Sequence, residues 1–406
     1  MKKCILENGV RLIYEKRDIG IASFCIGFNA GALMESGFKI GTAHALEHVV
    51  FKGTLKRSED EINTLCDEIF GFNNAMTNYP YVIYYGTTIT SDFENGLELY
   101  SDIVLNPSFP ETGFKEEINV IMEELRDWKE DMFQNCEDKL FYNAFQSRRI
   151  KETIIGTVAD IGSINLEDIK NFYNKFYVPS NCVISVVTSM TFDEVYKIIN
   201  KYFGNMQDNK HEDVIEYKYE NNIPGIFQNT MEGSTGARIQ YCFPIHQLNI
   251  REIKILKLIS FYLGESLTSI LYDEIRTKKG LAYDLKSKVA DENGIKLLYI
   301  IASTSRENTE QVIDIINNII EGIRFTSVQD ITLDKVKNII KMLKIRRELL
   351  LEKSIQLSKE LTCYEIMYNS PLEVYIEFDE LDSITIDEIK EVINKTFRKP
   401  SIQILK

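Results

Sequence analysis

The sequence predicts an α+β fold of two tandem homologous domains, each a mostly antiparallel sheet covered by helices. Three observations carry this. The chain has 406 residues, more than one ordinary core organises. Short strand-like runs bounded by turn residues alternate with longer runs of helical spacing, the order of a sheet covered by helices. Finally, Ser163–Lys175 aligns without gaps with Ser383–Lys395, 220 residues on, and the element order around the two stretches agrees.

In chain order, residues 3–6 and 10–15 flank Asn8-Gly9, a hairpin signal, and residues 21–29 form a third strand. Residues 40–51 and 58–69 read as helices, followed by a strand pair at 72–79 and 82–89. Helices follow over 91–105 and 112–146, then a helix at 166–176 and a strand at 181–188. The second half repeats this with strands at 281–290 and 294–304 and helices at 307–325 and 331–368. In both aligned stretches a Pro-Ser pair, Pro179-Ser180 or Pro400-Ser401, precedes a strand. The polar run Asp208–Asp213 and the turn cluster Asn221–Gly225 mark the junction. Domains are therefore expected at 1–205 and 226–406, with a linker at 206–225.

Composition narrows the function. Apolar residues at 44% and charged residues at 27% describe a globular protein with ample core material. A net charge of -14 with no Lys/Arg-dense face argues against nucleic-acid and anionic-membrane partners. No run approaches the roughly 20 apolar residues of a membrane helix. The first nine residues reach Glu7 and Asn8-Gly9 where a signal peptide would continue apolar. Seven widely spaced cysteines with no C-x-x-C pair read as free thiols, so a reducing, cytoplasmic location is expected.

His44-Ala45-Leu46-Glu47-His48 holds half of the chain's four histidines. On a helix, residues four apart project from one face, so both imidazoles can reach one metal ion. Glu47 lies to one side, placed to address a metal-bound water. The order H-x-x-E-H reverses the H-E-x-x-H of metallopeptidase helices and is known as an inverted zinc-peptidase motif. Two exposed histidines on an ordinary helix are the bland alternative. The positions 220 further on, Gly264–Thr268, offer nothing comparable.

Catalytic zinc usually takes a third protein ligand. His211 lies in the polar linker and His246 in the second copy, which favours a carboxylate from the acidic helix Phe114–Trp128. There Glu117, Ile121, Glu124 and Trp128 border the apolar stripe of Ile118, Met122 and Leu125, whereas Glu116, Glu123 and Asp127 fall on a more polar strip. Glu117 and Glu124 thus face inward together. Seven residues separate them by about 10 Å, so one binds the ion and the other supports it.

These motifs resemble the pitrilysin/insulinase/mitochondrial processing peptidase family: His44–His48 followed by Phe51-Lys52-Gly53-Thr54, then Val120–Leu125, which places a glutamate 76 residues beyond His48. The resemblance implies Zn2+ held by His44, His48 and Glu124, with Glu47 as general base and Glu117 as an auxiliary carboxylate. It implies that Gly71–Thr77 is an edge strand pairing with substrate backbone, with Phe51, Asn74 and Ala75 as substrate-binding positions. Ile275–Tyr283 resembles the family's Arg/Tyr segment, so Arg276 and Tyr283 are expected to bind the substrate carbonyl region. One departure is Arg148–Ile154, where many relatives have a His-Pro-Leu-Gly-like loop.

As a resemblance to half of a clamshell chamber, the chain is expected to be a zinc metalloendopeptidase acting on unfolded oligopeptides or leader segments. Because it carries both the metal motif and the Arg/Tyr pair, a homodimer completed in trans is expected. The alternatives are a peptide-maturation subunit with a non-identical, related partner, and a non-catalytic scaffold subunit.

Overall fold

The computed structural model describes residues 1–207, 217–325 and 332–406. The strands are β1 (Lys2–Ile5), β2 (Arg11–Lys16), β3 (Ile21–Phe28), β4 (Phe70–Thr77), β5 (Val82–Ile89), β6 (Cys182–Thr188), β7 (Gly225–Asn229), β8 (Gly236–Pro244), β9 (Ala282–Ala290), β10 (Leu297–Ser305) and β11 (Ser401–Leu405). The first helices are α1 (Thr42–Val49), α2 (Glu59–Ile69), α3 (Phe93–Leu105), α4 (Glu111–Glu130), α5 (Met132–Ala144), α6 (Val158–Ser163), α7 (Leu166–Phe176) and α8 (Phe192–Phe203). They are followed by α9 (Ile250–Gly264), α10 (Thr309–Phe325), α11 (Leu333–Glu352), α12 (Ser354–Tyr368), α13 (Glu373–Ile376) and α14 (Ile386–Thr396). Among the described residues no helix is long and apolar enough to cross a membrane.

Among these residues the strands form two mixed sheets, ordered β1-β2-β6-β3-β5-β4 and β7-β11-β8-β10-β9. Without β1 the orders correspond strand for strand, including one parallel pair in each, β2/β6 and β7/β11. The gapless sequence match is explained locally. Asn165 and Asp168 form a capping box on α7, and Thr385 and Glu388 form the equivalent box on α14. Such boxes satisfy two otherwise orphaned backbone donors at each helix start.

The chain folds as two compact units, each assembled from three stretches. One comprises Met1–Arg126, Thr153–Glu216 and Glu348–Tyr375; the other comprises Asp127–Glu152, Tyr217–Arg347 and Ile376–Lys406. These do not follow the contiguous division 1–205 and 226–406, because the halves exchange a helix. In the first unit α12 lies on β3 and β6, where Ser354 bonds Ser23 at 2.8 Å and Ser358 bonds Ser185 at 2.8 Å. A Cβ on Gly27 would come within 2.5 Å of Thr362, so the glycine permits this close approach. In the second unit α5 lies on β8 and β11, and Asn143 donates to Gln403 at 2.9 Å.

Several expectations change. The helix expected over 112–146 is broken at Asp131, whose side chain caps α5 by accepting from the N–H groups of Phe133 and Gln134. The helix expected over 331–368 breaks at Lys353, where the backbone turns extended. Of the linker at 206–225, residues 208–216, including His211, lie outside the described residues. The rest joins the second unit. The Glu220 carboxylate accepts from the backbone of Gln146 and Ser147, and Gly225 opens β7. The counterpart of the histidine helix is also not Gly264–Thr268. It is α9, which follows β8 as α1 follows β3 and packs on α14 as α1 packs on α7. The 220-residue offset fails there because α9, with 15 residues, is longer than α1, with 8. Neither α9 nor Gly264–Thr268 carries a histidine.

Candidate metal centre

The first unit buries Phe24, Phe28, Tyr84, Phe93 and Tyr100 in its core. Each such side chain contributes about 1.5–3 kcal/mol relative to exposure. Helix α1 is seated on this base with a fixed entry angle. It starts from Gly41 at φ 89°, and a Cβ there would meet the Ile155 carbonyl oxygen at 2.6 Å. No cap comes from the adjoining residue. Instead the buried Glu35 accepts the Ala43 N–H at 2.9 Å, satisfying an orphan donor and placing a carboxylate at the positive helix end.

One turn apart on α1, His44 and His48 hold their rings 4.7 Å apart between centroids. Both meet Glu124 of α4: His44 Nε2 lies 3.7 Å from Oε1 and His48 Nε2 lies 3.5 Å from Oε2. Glu117, two turns earlier on α4, engages the other face of His48, with Oε2 2.9 Å from Nδ1. The choice between the two glutamates is thereby resolved by position. Glu124 meets both imidazoles, and Glu117 meets only the far nitrogen of one.

The three groups fit a single ion. Ligand atoms of His44, His48 and Glu124 all lie within 4.8 Å of one another. A tetrahedral zinc with bonds of about 2.0–2.1 Å separates its ligands by about 3.4 Å, close to the 3.5 and 3.7 Å contacts found here. A carboxylate behind a ligating imidazole, as Glu117 stands behind His48, fixes the ring and its tautomer.

Electrostatics separate the two histidines. Burial and the adjacent His48 push His44 down to about 4. Burial also opposes a charge on His48, but its hydrogen bonds with Glu117 and Glu124 outweigh burial and raise it to about 9. Despite their own burial, Glu117 and Glu124 are held below the usual carboxylate range, chiefly by hydrogen bonds with His48. Glu47 differs. Burial raises its carboxyl above the ordinary value, against a 2.5 Å hydrogen bond donated by Thr77 Oγ1. A carboxyl tuned upward is suited to exchanging protons near neutrality.

Thr77 is a residue that sequence reasoning missed. It ends β4, which lies at an edge of its sheet with one row of backbone groups unpaired by a strand. Asn74 and Ala75 lie in this edge strand, opposite Tyr85 and Tyr84 of β5. Phe51 is placed otherwise: its ring packs 6.0 Å from Tyr84 and 6.2 Å from Tyr100, against the aromatic core. Arg276 and Tyr283 belong to the second unit and are not members of the histidine cluster. Arg276 Nη1 donates to the Tyr283 carbonyl at 3.2 Å, and its guanidinium lies 4.7 Å from the Tyr272 ring centroid. Tyr283, at the start of edge strand β9, is 71% exposed.

Comparison with known proteins agrees with this geometry. Residues 12–158 match the family model described as Insulinase (Peptidase family M16), and residues 163–340 match the Peptidase M16 inactive domain. The chain is 26% identical over 398 residues to the zinc protease YmxG of Bacillus subtilis (strain 168), covering 97% of this chain and 92% of that protein. It is 30% identical over 201 residues to the mitochondrial-processing peptidase subunit beta of Bos taurus, covering 49% of this chain and 41% of that subunit. A protease from Helicobacter pylori shares the fold, with a TM-score of 0.88 and 21% identity over 100% of this chain and 99% of that one. The tandem arrangement of an insulinase domain and an inactive-type domain matches a first copy that bears the histidines and a second that lacks them, and the chain belongs to the insulinase family of peptidases, M16.

Proposed function

We propose that the protein is a zinc-dependent endopeptidase that cleaves extended, unfolded peptides. The observation carrying this reading is the convergence of His44, His48 and Glu124 beside Glu47, which Thr77 ties to the end of an open-edged strand. When bound by the three ligands, zinc would polarise a scissile carbonyl and lower the pKa of a water toward about 7. Glu47 takes the proton of the attacking water and delivers it to the leaving amine. The free edge of β4 pairs with the main chain of an extended peptide, with Asn74 and Ala75 beside it. Phe51, turned into the core, supports this wall from behind.

Arg276 and Tyr283 are proposed to supply donors to the substrate carbonyl region in a second copy of the chain, making the working form a homodimer. An intact ligand set argues against a purely scaffolding role. The seven free cysteines, five of them buried, support a reducing, cytoplasmic setting.

The test combines metal analysis with hydrolysis of a quenched peptide library. About one zinc per chain and chelator-sensitive cleavage are expected, and Glu47→Gln should keep the metal while slowing cleavage about 10²- to 10⁴-fold. A metal-loaded, fully active Glu47→Gln protein would remove the assignment. Mixing Glu47→Gln with Tyr283→Phe should restore activity in exchanged dimers; no recovery despite subunit exchange would leave the trans arrangement without support.

A further inference from the structure

We propose that Lys52 is a positioning residue for the metal centre, acting through Glu117 on the orientation of His48. The inference rests on the zinc reading above and adds a residue that touches neither metal ligands nor substrate.

Lys52 closes the 3-10 turn Val50–Lys52 that follows α1. Its side chain is only 8% exposed, low for a lysine on a turn. Three carboxylates converge on its ammonium. Nζ lies 2.6 Å from Glu59 of α2 and 3.2 Å from Glu116 of α4, and 3.4 Å from Oε1 of Glu117. The other oxygen of Glu117 is the one 2.9 Å from His48 Nδ1. Both ends of that carboxylate are thus engaged, one by the cation and one by the ring. The aliphatic stem is held as well, because Gly113 leaves it room. A Cβ on Gly113 would approach Lys52 Cβ to 2.9 Å and Cε to 3.2 Å.

Helix packing alone would not call for a cation here. A buried charge is costly to desolvate, and an apolar side chain of similar volume packs as well or better. A cation is needed if Glu59, Glu116 and Glu117 are to stay together as carboxylates. Without it their mutual repulsion turns Glu117 away from His48. The ring then loses the acceptor that fixes its tautomer with Nε2 free for the ion. Losing a partner behind a metal-ligating histidine typically weakens metal binding 10- to 100-fold.

The experiment uses the full chain and Zn2+ alone, with affinity measured by competition against a chromophoric chelator. Lys52→Gln should weaken zinc about tenfold, and Lys52→Arg, which keeps the charge, should stay within about threefold of the unaltered protein. Glu117→Gln should weaken zinc by a similar or larger factor, and adding Lys52→Gln to it should cost nothing more, since the lysine acts through that carboxylate. Melting of the metal-free variants checks folding. Should Lys52→Gln not fold, Lys52→Gln/Glu59→Gln removes the cation together with its closest anion and gives the same comparison. Unchanged zinc affinity in the neutral variants, or losses that add in the Lys52/Glu117 pair, would overturn the assignment. An unaltered protein that fails to bind zinc would instead sink the underlying peptidase reading.

Discussion

The first and second units share a strand order, yet only one sets a metal-binding cluster on it. The difference lies in how the helix after the third strand meets the edge strand. In the first unit α1 is short, begins at a left-handed glycine and reaches β4 through a carboxylate, Glu47, bonded to Thr77. In the second, α9 lies down on β9. Ser260 bonds Ser287 directly at 2.9 Å, and a Cβ on Gly264 would strike the Ser287 backbone nitrogen at 2.5 Å. Much of α9 is apolar and buried, including Ile253, Leu256, Ile259 and Leu263. One scaffold thus serves two ends: a helix held off its edge strand by a polar spacer leaves a reactive cleft, and a helix in direct contact gives stability.

The largest expected effect follows from that contrast. His48→Ala should weaken zinc about 10²- to 10³-fold, one ligand's share of a structural-strength site. Ser260→Ala in α9 should leave zinc unchanged. Equal loss in both, measured by chelator competition, would mean that the metal responds to general loosening of the fold.

The two close-approach glycines sharpen the comparison next. Gly41→Ala must place a side chain at φ 89° and against the Ile155 carbonyl. A cost of about 2–3 kcal/mol in chemical denaturation is expected, together with weaker zinc binding because α1 is displaced. Gly264→Ala should also destabilise but leave zinc affinity alone. If zinc binding survives Gly41→Ala intact, the glycine does not set the angle of α1.

Much of the metal site was legible because its parts are local. His44, Glu47 and His48 lie within one helical turn and a half, and the phasing of Glu117 and Glu124 needs only helical periodicity. The capping residues of α7 and α14 explain why the repeat is visible there. What escaped depends on contacts between distant segments. Thr77 reaches Glu47 across 30 residues, and Glu35 replaces a missing local cap from a preceding turn. Lys52 was read only as part of a motif, since its three carboxylates come from two later helices. The exchange of α5 and α12 escaped for the same reason. Apolar periodicity runs on past Asp131 and Lys353, and only tertiary packing shows that each run is two helices.

A smaller effect is expected at Thr77. Thr77→Val keeps the shape and removes the hydroxyl donated to Glu47. Losing a hydrogen bond to a charged group costs about 1.5–3 kcal/mol, part of which the Thr77 backbone N–H, also directed at Glu47, retains. A fall of about tenfold in kcat with unchanged zinc affinity is expected, whereas Ser287→Ala on the corresponding edge strand should leave kcat unchanged. A zinc defect in Thr77→Val would place the threonine in metal binding instead.

The exchanged helices supply the smallest and most easily read contrast. Each buries a carboxylate, but with different partners. Glu365 on α12 meets two cations, Lys3 at 2.7 Å and Arg11 at 3.3 Å. Asp138 on α5 accepts only neutral donors, Trp128 Nε1 at 2.7 Å and Gln134 Nε2 at 3.2 Å. Burial therefore pushes Asp138 up to about 6 from an ordinary 3.8. A carboxyl raised in the folded state binds its proton more tightly there than in the unfolded chain. Its contribution to stability is full below about 4 and is lost as pH rises through about 6. Asp138→Asn keeps an acceptor for Trp128 and cannot ionise. The variant should therefore gain on the order of 1 kcal/mol over the unaltered protein at pH 7, and that gain should vanish near pH 4. Urea titrations of the metal-free proteins across this range read the difference directly. A gain independent of pH would show that Asp138 is not the titrating group, and a loss at pH 7 would show that its charge is stabilised by contacts other than these two donors.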